Sequence, residues 1–445
     1  MKILILSQYP WQKENSFGNT YSSIFGKVEG IDIAHIYLME GLPDEEPNIS
    51  CYYQIPESKV IRSVFKSSKN VKRVGNRITP IDSSSLPNEK NEASKEPSKQ
   101  SFYSKILSFG KRHHWKSMFY ARELAWKYGK IDYDGLLAFV KEFKPDIFFL
   151  PYNHIYYTNR LAMFIKEHID IPMVLELSMD HYSLKRVSWS PIFWIDRFAK
   201  RSMIRKLVAK SEMMYVISKK LKEECEAQLH IPCKILYKTP DENRIHQPYL
   251  HKEGEPVRFL FTGNIYANRW KPLGMLAKIL QQENFGRLDI YTATPITNKM
   301  SKALDIEGVS AIHAPVSQKE VIELQNAADV LVHTESFDKK NKLLVRCAIS
   351  TKIMDYLSVG RSILAIGPRD ISSIEYLEDN QVALVADNEG SLRKIVQSIK
   401  NDSKVLTDYA SRSIKYVSEH LNAKEKREAL YNDLQAIIDN YKKKD

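Results

Sequence analysis

The feature that most constrains this chain is a repeated pairing of a short apolar run with a helix-length segment. In the first half the runs are KILILS (2–7), IDIAHIYL (31–38), DIFFLP (146–151), PMVLELS (172–178) and MMYVIS (213–218). In the second half they are RFLFTG (258–263), LDIYTA (288–293), DVLVHT (329–334), SILAIG (362–367) and VALVAD (382–387). Runs that are apolar throughout mark strands covered on both faces, and strands alternating with helices build parallel sheets. Two such series predict an α/β protein of two doubly wound domains. With 445 residues, 43% of them hydrophobic, the chain can fill two cores.

Composition places the boundaries. Residues 239–256, TPDENRIHQPYLHKEGEP, are rich in Pro, Gly and charge and follow neither the helical nor the strand period. They divide a first domain, 1–240, from a second, 257–422. Residues 80–101 have almost no large apolar side chain, so burial cannot offset their ordering entropy, and they read as a mobile insert in the first domain. Apolar residues at helical spacing, among them Leu430, Leu434 and Ile438, continue past 422. A helix over 423–445 is expected to pack back on the first domain. MKILILSQYPW is too short an apolar run for a signal peptide and reads as a first strand; no run of about twenty apolar residues predicts a spanning helix. The four cysteines form no CxxC pair and read as reduced thiols of a cytoplasmic protein. No metal site is expected.

In open α/β sheets ligands gather in the loops beyond the carboxyl ends of strands. After the run at 258–263 come Gly263 and Asn264, then a helix start near Lys271-Pro272, with Arg269 and Lys271 beside it. A glycine permits close backbone approach, and a helix N-terminus flanked by cations suits phosphate. A plain turn with solvated cations has the same pattern. In STKIMDYLSVGRSILAIGP (350–368), Ser350 reads as an N-cap of a helix over 351–359. Lys352 and Asp355 stand three apart, and Gly360 fits the position that ends a helix. Pattern alone favours a surface ion pair there. Glu335 lies just past the run at 329–334, as a ligand-facing acid would, followed by a Lys-rich loop without clear period. Gly18 precedes a helix near 20–28 and offers a weak glycine-loop signal. His154 and Asp180 each follow a strand as candidate catalytic groups.

At this point the residues resemble a family. Lys352, Asp355, Tyr356, Leu357, Gly360 and Arg361 match the second-domain signature of GT-B-fold glycosyltransferases of the group-1, family-4 type, with Ser362 in place of the usual proline. FLFTGNIYANR resembles the loop that opens their nucleotide-binding domain, and MYVISKKLKEECEAQL the last strand and helix of their first domain. The resemblance implies two Rossmann-like domains facing a cleft, a nucleotide-sugar donor as substrate, and neither cofactor nor metal. It implies that Asp355 bonds the donor ribose and that Gly263, Asn264, Arg269, Lys271, Ser350, Lys352 and Gly18 line the donor. Glu335, Asp180 and His154 are the catalytic candidates. Many members carry two glutamates eight positions apart; eight before Asp355 stands Cys347, and Glu335 lies further upstream. A retaining outcome follows by analogy.

The implied reaction is sugar transfer to a saccharide or lipid-linked acceptor, in synthesis of capsule, exopolysaccharide or lipopolysaccharide. The implied place is the cytoplasm, at the inner face of the membrane. Residues 185–210 mix Trp, Phe and Ile with many cations, as a helix lying on an anionic bilayer would; a sheet-covering helix with basic exposed residues fits that composition better. Residues 110–128 allow the same argument more weakly. A nucleotide-sugar epimerase shares the architecture. A net charge of +12 also suits a non-catalytic basic binding protein. Nucleic acid is not an expected partner, since the cations are spread along helices and no nucleic-acid motif is present.

Overall fold

All ten apolar runs form strands. The structure is a computed structural model and describes residues 1–65, 72–79, 116–240, 251 and 254–444. The insert expected over 80–101, most of the division at 239–256 and residues 110–115 of the weaker basic segment lie outside these. By internal packing the chain divides into two units. One comprises 1–176, 202–213 and 433–445, the other 177–201 and 214–432.

In the first unit the strands are β1 (Lys2–Ser7), β2 (Asp32–Tyr37), β3 (Ile49–Gln54), β4 (Asn76–Ile78), β5 (Ile147–Pro151) and β6 (Met173–Leu177). Their order is β4-β3-β2-β1-β5-β6. Neighbours run parallel except β4, which lies antiparallel on β3. The order reverses between β1 and β5, the switch point at which loops on either side diverge and leave a crevice. There Asn153 Nδ2 donates to Gln8 Oε1 at 3.0 Å, tying the two loops together. The end of the helix Ala423–Lys442 belongs to this unit, where Tyr441 donates its hydroxyl to Asp170 at 2.6 Å.

In the second unit β7 (Met213–Val216) and β8 (Cys233–Ile235) pair in parallel through Met214 and Cys233. A six-stranded parallel sheet follows from β9 (Arg258–Thr262), β10 (Arg287–Tyr291), β11 (Ser310–His313), β12 (Val330–Thr334), β13 (Ser362–Ile366) and β14 (Leu384–Ala386). Its order is β11-β10-β9-β12-β13-β14, so its switch point lies between β9 and β12. Phe259, Phe261, Leu288, Ile290, Val330, Val332, Leu364 and Ile366 are buried from the sheet, against Leu273, Leu276 and Leu280 of the helix Trp270–Glu283 and Leu392 and Val396 of Glu389–Asn401. The fold is therefore two Rossmann-like α/β sheets, as the alternation of runs and helices requires.

Two local expectations change. The Lys-rich stretch after Glu335 is not aperiodic loop but contains a helix, Lys339–Val345. None of its residues is buried, so it has no apolar stripe to read. The first helix begins at Ser16, capped by Asn15, whose side chain accepts from Gly18 N at 2.8 Å. Gly18 thus lies inside the helix. A Cβ there would come within 2.1 Å of Gln12 O, so the glycine is required by backbone packing.

Gly360 does end the helix Thr351–Ser358 and adopts φ 70°. An L side chain in this left-handed conformation costs about 1–2 kcal/mol. Gly360→Ala is therefore expected to lower the urea midpoint of the second unit's unfolding, followed by circular dichroism, without altering the folded spectrum.

Candidate functional site

The loops after β9 and β12 flank the switch point of the second sheet, and the helix Thr351–Ser358 lies against them. Gly263 follows β9 with φ 139°. A Cβ built on it would lie 1.6 Å from Lys352 Nζ, so any larger residue, besides straining this backbone, would displace the lysine end. Lys352 Nζ donates to Thr262 O at 2.7 Å, and one turn later Tyr356 and Thr262 share a hydroxyl–hydroxyl bond at 3.4 Å. The i, i+4 pair Lys352 and Tyr356 thus docks the helix on the end of β9. Ser350 is the N-cap residue, but its side chain makes no capping bond; its carbonyl accepts from Ile353 N at 3.0 Å.

This is not the surface ion pair that spacing suggests. Burial, and then the charge of Arg269, lowers the pKa of Lys352 from 10.5 to about 8, with Asp355 opposing the shift. Asp355 itself receives Lys238 Nζ at 2.6 Å, a lysine more fully buried than Lys352. Lys238 comes from the stretch after β8, and no motif marks it.

Beside Lys352 stands a bidentate pair of a partly exposed arginine and a buried glutamate. Arg269 Nε donates to Glu335 Oε2 at 3.0 Å and its terminal nitrogen to Oε1 at 2.8 Å. Glu335 is fixed by its place one residue past β12, where its N–H bonds Ile366 O at 2.9 Å. Burial raises its pKa and Arg269 opposes the rise. His333 is also buried; burial, with Arg269 and Lys352 near, lowers it to about 3, so it is neutral at physiological pH. Arg269 is presented by a tight turn in which Ala267 and Asn268 both have positive φ. Asp338 holds that turn, accepting from Asn268 Nδ2 at 2.7 Å and Lys271 Nζ at 3.0 Å. The helix then starts at Trp270, one residue before the expected Lys271. Asn264 is exposed, whereas its neighbour Ile265 is buried.

The other candidates stand elsewhere. Asp180 is buried and accepts from Ser183 N at 2.8 Å, Arg346 Nε at 3.0 Å and Arg197 at 3.3 Å. Burial alone would raise its pKa, but the Ser183 bonds and the Arg346 charge hold it below the ordinary carboxylate range. Such a carboxylate organises its loop. Arg346, which also pairs with Glu224, is a key residue of the arrangement that spacing did not single out. His154 is exposed in the loop after β5, and it and Gly18 belong to the first unit.

A sheet reversing at β9 and β12, a glycine that admits a half-buried lysine, and an arginine–glutamate pair can be compared with known proteins. No family model matches the chain, and no curated protein does. Among solved structures it is similar to the sucrose-phosphate synthase of Thermosynechococcus elongatus, at 10% identity, with a TM-score of 0.62 over 98% of this chain and 99% of that one. It is likewise similar to Anabaena HepE, solved in complex with UDP-glucose, at 11% identity, with a TM-score of 0.60 over 98% and 100%. A glycosyltransferase from Rickettsia africae matches at 12% identity, with a TM-score of 0.57 over 99% of both chains. This chain has the GT-B fold. In GT-B terms, the second unit's strand-end cluster of Gly263, Arg269, Glu335 and Lys352 stands at the switch point, where an α/β sheet binds ligand.

Breaking a buried ion pair by removing one partner costs about 3–5 kcal/mol, because the other charge is left uncompensated. Glu335 is buried but Arg269 is 28% exposed, so Arg269→Leu is expected to destabilise the second unit by less than that. The double variant Arg269→Leu/Glu335→Leu should recover most of the loss in urea denaturation. Additive losses would mean that the pair is not coupled.

Proposed function

We propose that this chain is a glycosyltransferase that moves a sugar from a nucleotide-sugar donor to a saccharide or lipid-linked acceptor. The reading extends to synthesis of a cell-surface polysaccharide at the inner face of the membrane, with retention of configuration. The observation that carries it is Lys352, half-buried beside Gly263 without a carboxylate bonded to its ammonium, with Arg269 close enough to depress its pKa. Glu335 already pairs with Arg269, so the Lys352 charge beside them is the costly one unless an anion joins it. A diphosphate supplies that anion, and as leaving group it gains charge in the transition state, where fixed cations stabilise it most. HepE, solved with UDP-glucose, is a neighbour that binds such a donor.

Each residue then has a task. Arg269 and Lys352 face the diphosphate, with Lys271 at the outer edge. Asp355, oriented by Lys238, bonds the ribose hydroxyls. The Glu335 carboxylate holds Arg269 in place and keeps its own orientation through that pair, which positions the guanidinium before donor arrives. Gly263 lets backbone and ligand approach closely.

Thermal unfolding with a panel of nucleoside diphosphates and nucleotide sugars tests this. Selective stabilisation by one base is expected, since a ligand that binds only the folded chain raises its stability. Asp355→Ala should abolish the shift while leaving the ligand-free far-UV spectrum intact. No response to any nucleotide would remove the reading. Donor consumed without any acceptor would indicate an epimerase instead.

The pH dependence has a definite sign. In the ligand-free fold Lys352 titrates near 8 rather than 10.5, so between these values the unfolded chain binds more protons. Raising pH through that window stabilises the ligand-free protein. Bound diphosphate favours the charged lysine, so its affinity is expected to be highest below about pH 8 and to fall above it. In Lys352→Met the affinity should be weaker and this fall absent, as calorimetry would show.

A further inference from the structure

We infer that the segment 184–198 is a docking surface for an anionic lipid bilayer. The first half of the helix Pro191–Val208 is inverted relative to an ordinary surface helix, whereas its second half buries Ile204 and Leu207. Arg197, a charged residue, is buried against Asp180, while Ile192, Ile195 and Phe198 are exposed. These three recur every third residue and form a stripe on the side away from Arg197. The loop before the helix continues the apolar surface with Leu184, Val187 and Trp189. Trp189 is 104% exposed, Val187 71% and Ile195 65%. Six exposed large apolar side chains within fifteen residues are more than scattered exposure and mark an interaction site.

The surroundings select the occupant. Residues 184–210 hold eight Lys or Arg and one acid, Asp196, bonded to Lys200 at 2.8 Å; Arg197 and Lys185 are paired with Asp180 and Glu224 from outside the segment. Lys185 and Arg186 border the exposed loop, and Arg205 and Lys206 occupy the last helical turn. An apolar stripe flanked by cations matches a bilayer with acidic headgroups: the side chains enter the acyl boundary and the cations meet the phosphates. Trp189 on a loop suits the interfacial zone where indoles settle. A second copy of this chain would bring two strongly basic segments together, which like charge opposes. Trp194 Nε1 donates to Ser188 O at 2.8 Å, so the exposed loop is tied to the helix and presented as one surface. Among the described residues no helix is long and apolar enough to cross a membrane.

This deepens the membrane location in the proposed function, and it is tested without donor or acceptor, so its failure leaves sugar transfer standing. The full chain is sedimented with vesicles of phosphatidylcholine alone or mixed with phosphatidylglycerol, at low and high salt. Binding is expected to the mixed vesicles, weaker in high salt, with little to phosphatidylcholine. Trp189→Ser/Ile195→Ser, two exposed positions whose loss leaves the core untouched, should weaken partitioning about tenfold or more, on the scale of apolar transfer. Its circular dichroism and melting should match the parent. Equal binding by the variant and the parent, or no binding to mixed vesicles, would overturn the proposal. So would a concentration-dependent dimer in solution that the double substitution abolishes while vesicle binding is absent.

Discussion

The second unit depends on one close approach: Lys352 Nζ occupies the space that any side chain at 263 would fill. That contact joins the helix Thr351–Ser358 to the end of β9, although the two are 90 residues apart in the chain. The φ of 139° at 263 by itself favours glycine, and Lys352 fills the space that the missing Cβ leaves. A cation is half-buried with a carbonyl as its hydrogen-bond partner, and burial depresses its pKa. The fold accepts this cost because the backbone around Gly263 is held from elsewhere: its N–H bonds Tyr291 O at 2.8 Å.

Around this contact the charges are graded by burial. Arg269 and Glu335 form a pair with geometry good enough to survive desolvation. Lys271 and Asp338, more exposed, hold the turn shape and contribute little energy. His333 avoids the problem by staying neutral. An arrangement whose fixed positive charges exceed what its carboxylates neutralise is suited to an anion. The same physics separates Asp180 from that role: its Arg partners and the Ser183 bonds already satisfy it.

Much of the fold was legible in the sequence. The ten apolar runs are strands because both faces of a parallel sheet are covered, which leaves no polar positions along them. The four remaining strands were missed for one reason. β3, β4, β8 and β11 are short or carry polar residues, so their runs are broken, as in ISCYYQ and NRI. The helix Lys339–Val345 buries nothing and therefore has no period. Of the site, Gly263, Arg269, Lys352 and Asp355 were marked by spacing and resemblance. Lys238 was not, because an ion pair across 117 residues leaves no local pattern.

By itself the sequence determined the alternation of strand and helix, the glycine that ends a helix at 360 and the residue types near each strand end. These follow from local periods and backbone sterics, which neighbouring residues decide. Tertiary structure alone decided which charges meet. The order of β9 and β12 puts Arg269 on Glu335, Lys352 beside Gly263 and Lys238 on Asp355. It also decided which face of the helix Pro191–Val208 is buried. Arg197, on Asp180, is buried on the same face as Ile204 and Leu207, which leaves Ile192, Ile195 and Phe198 outward.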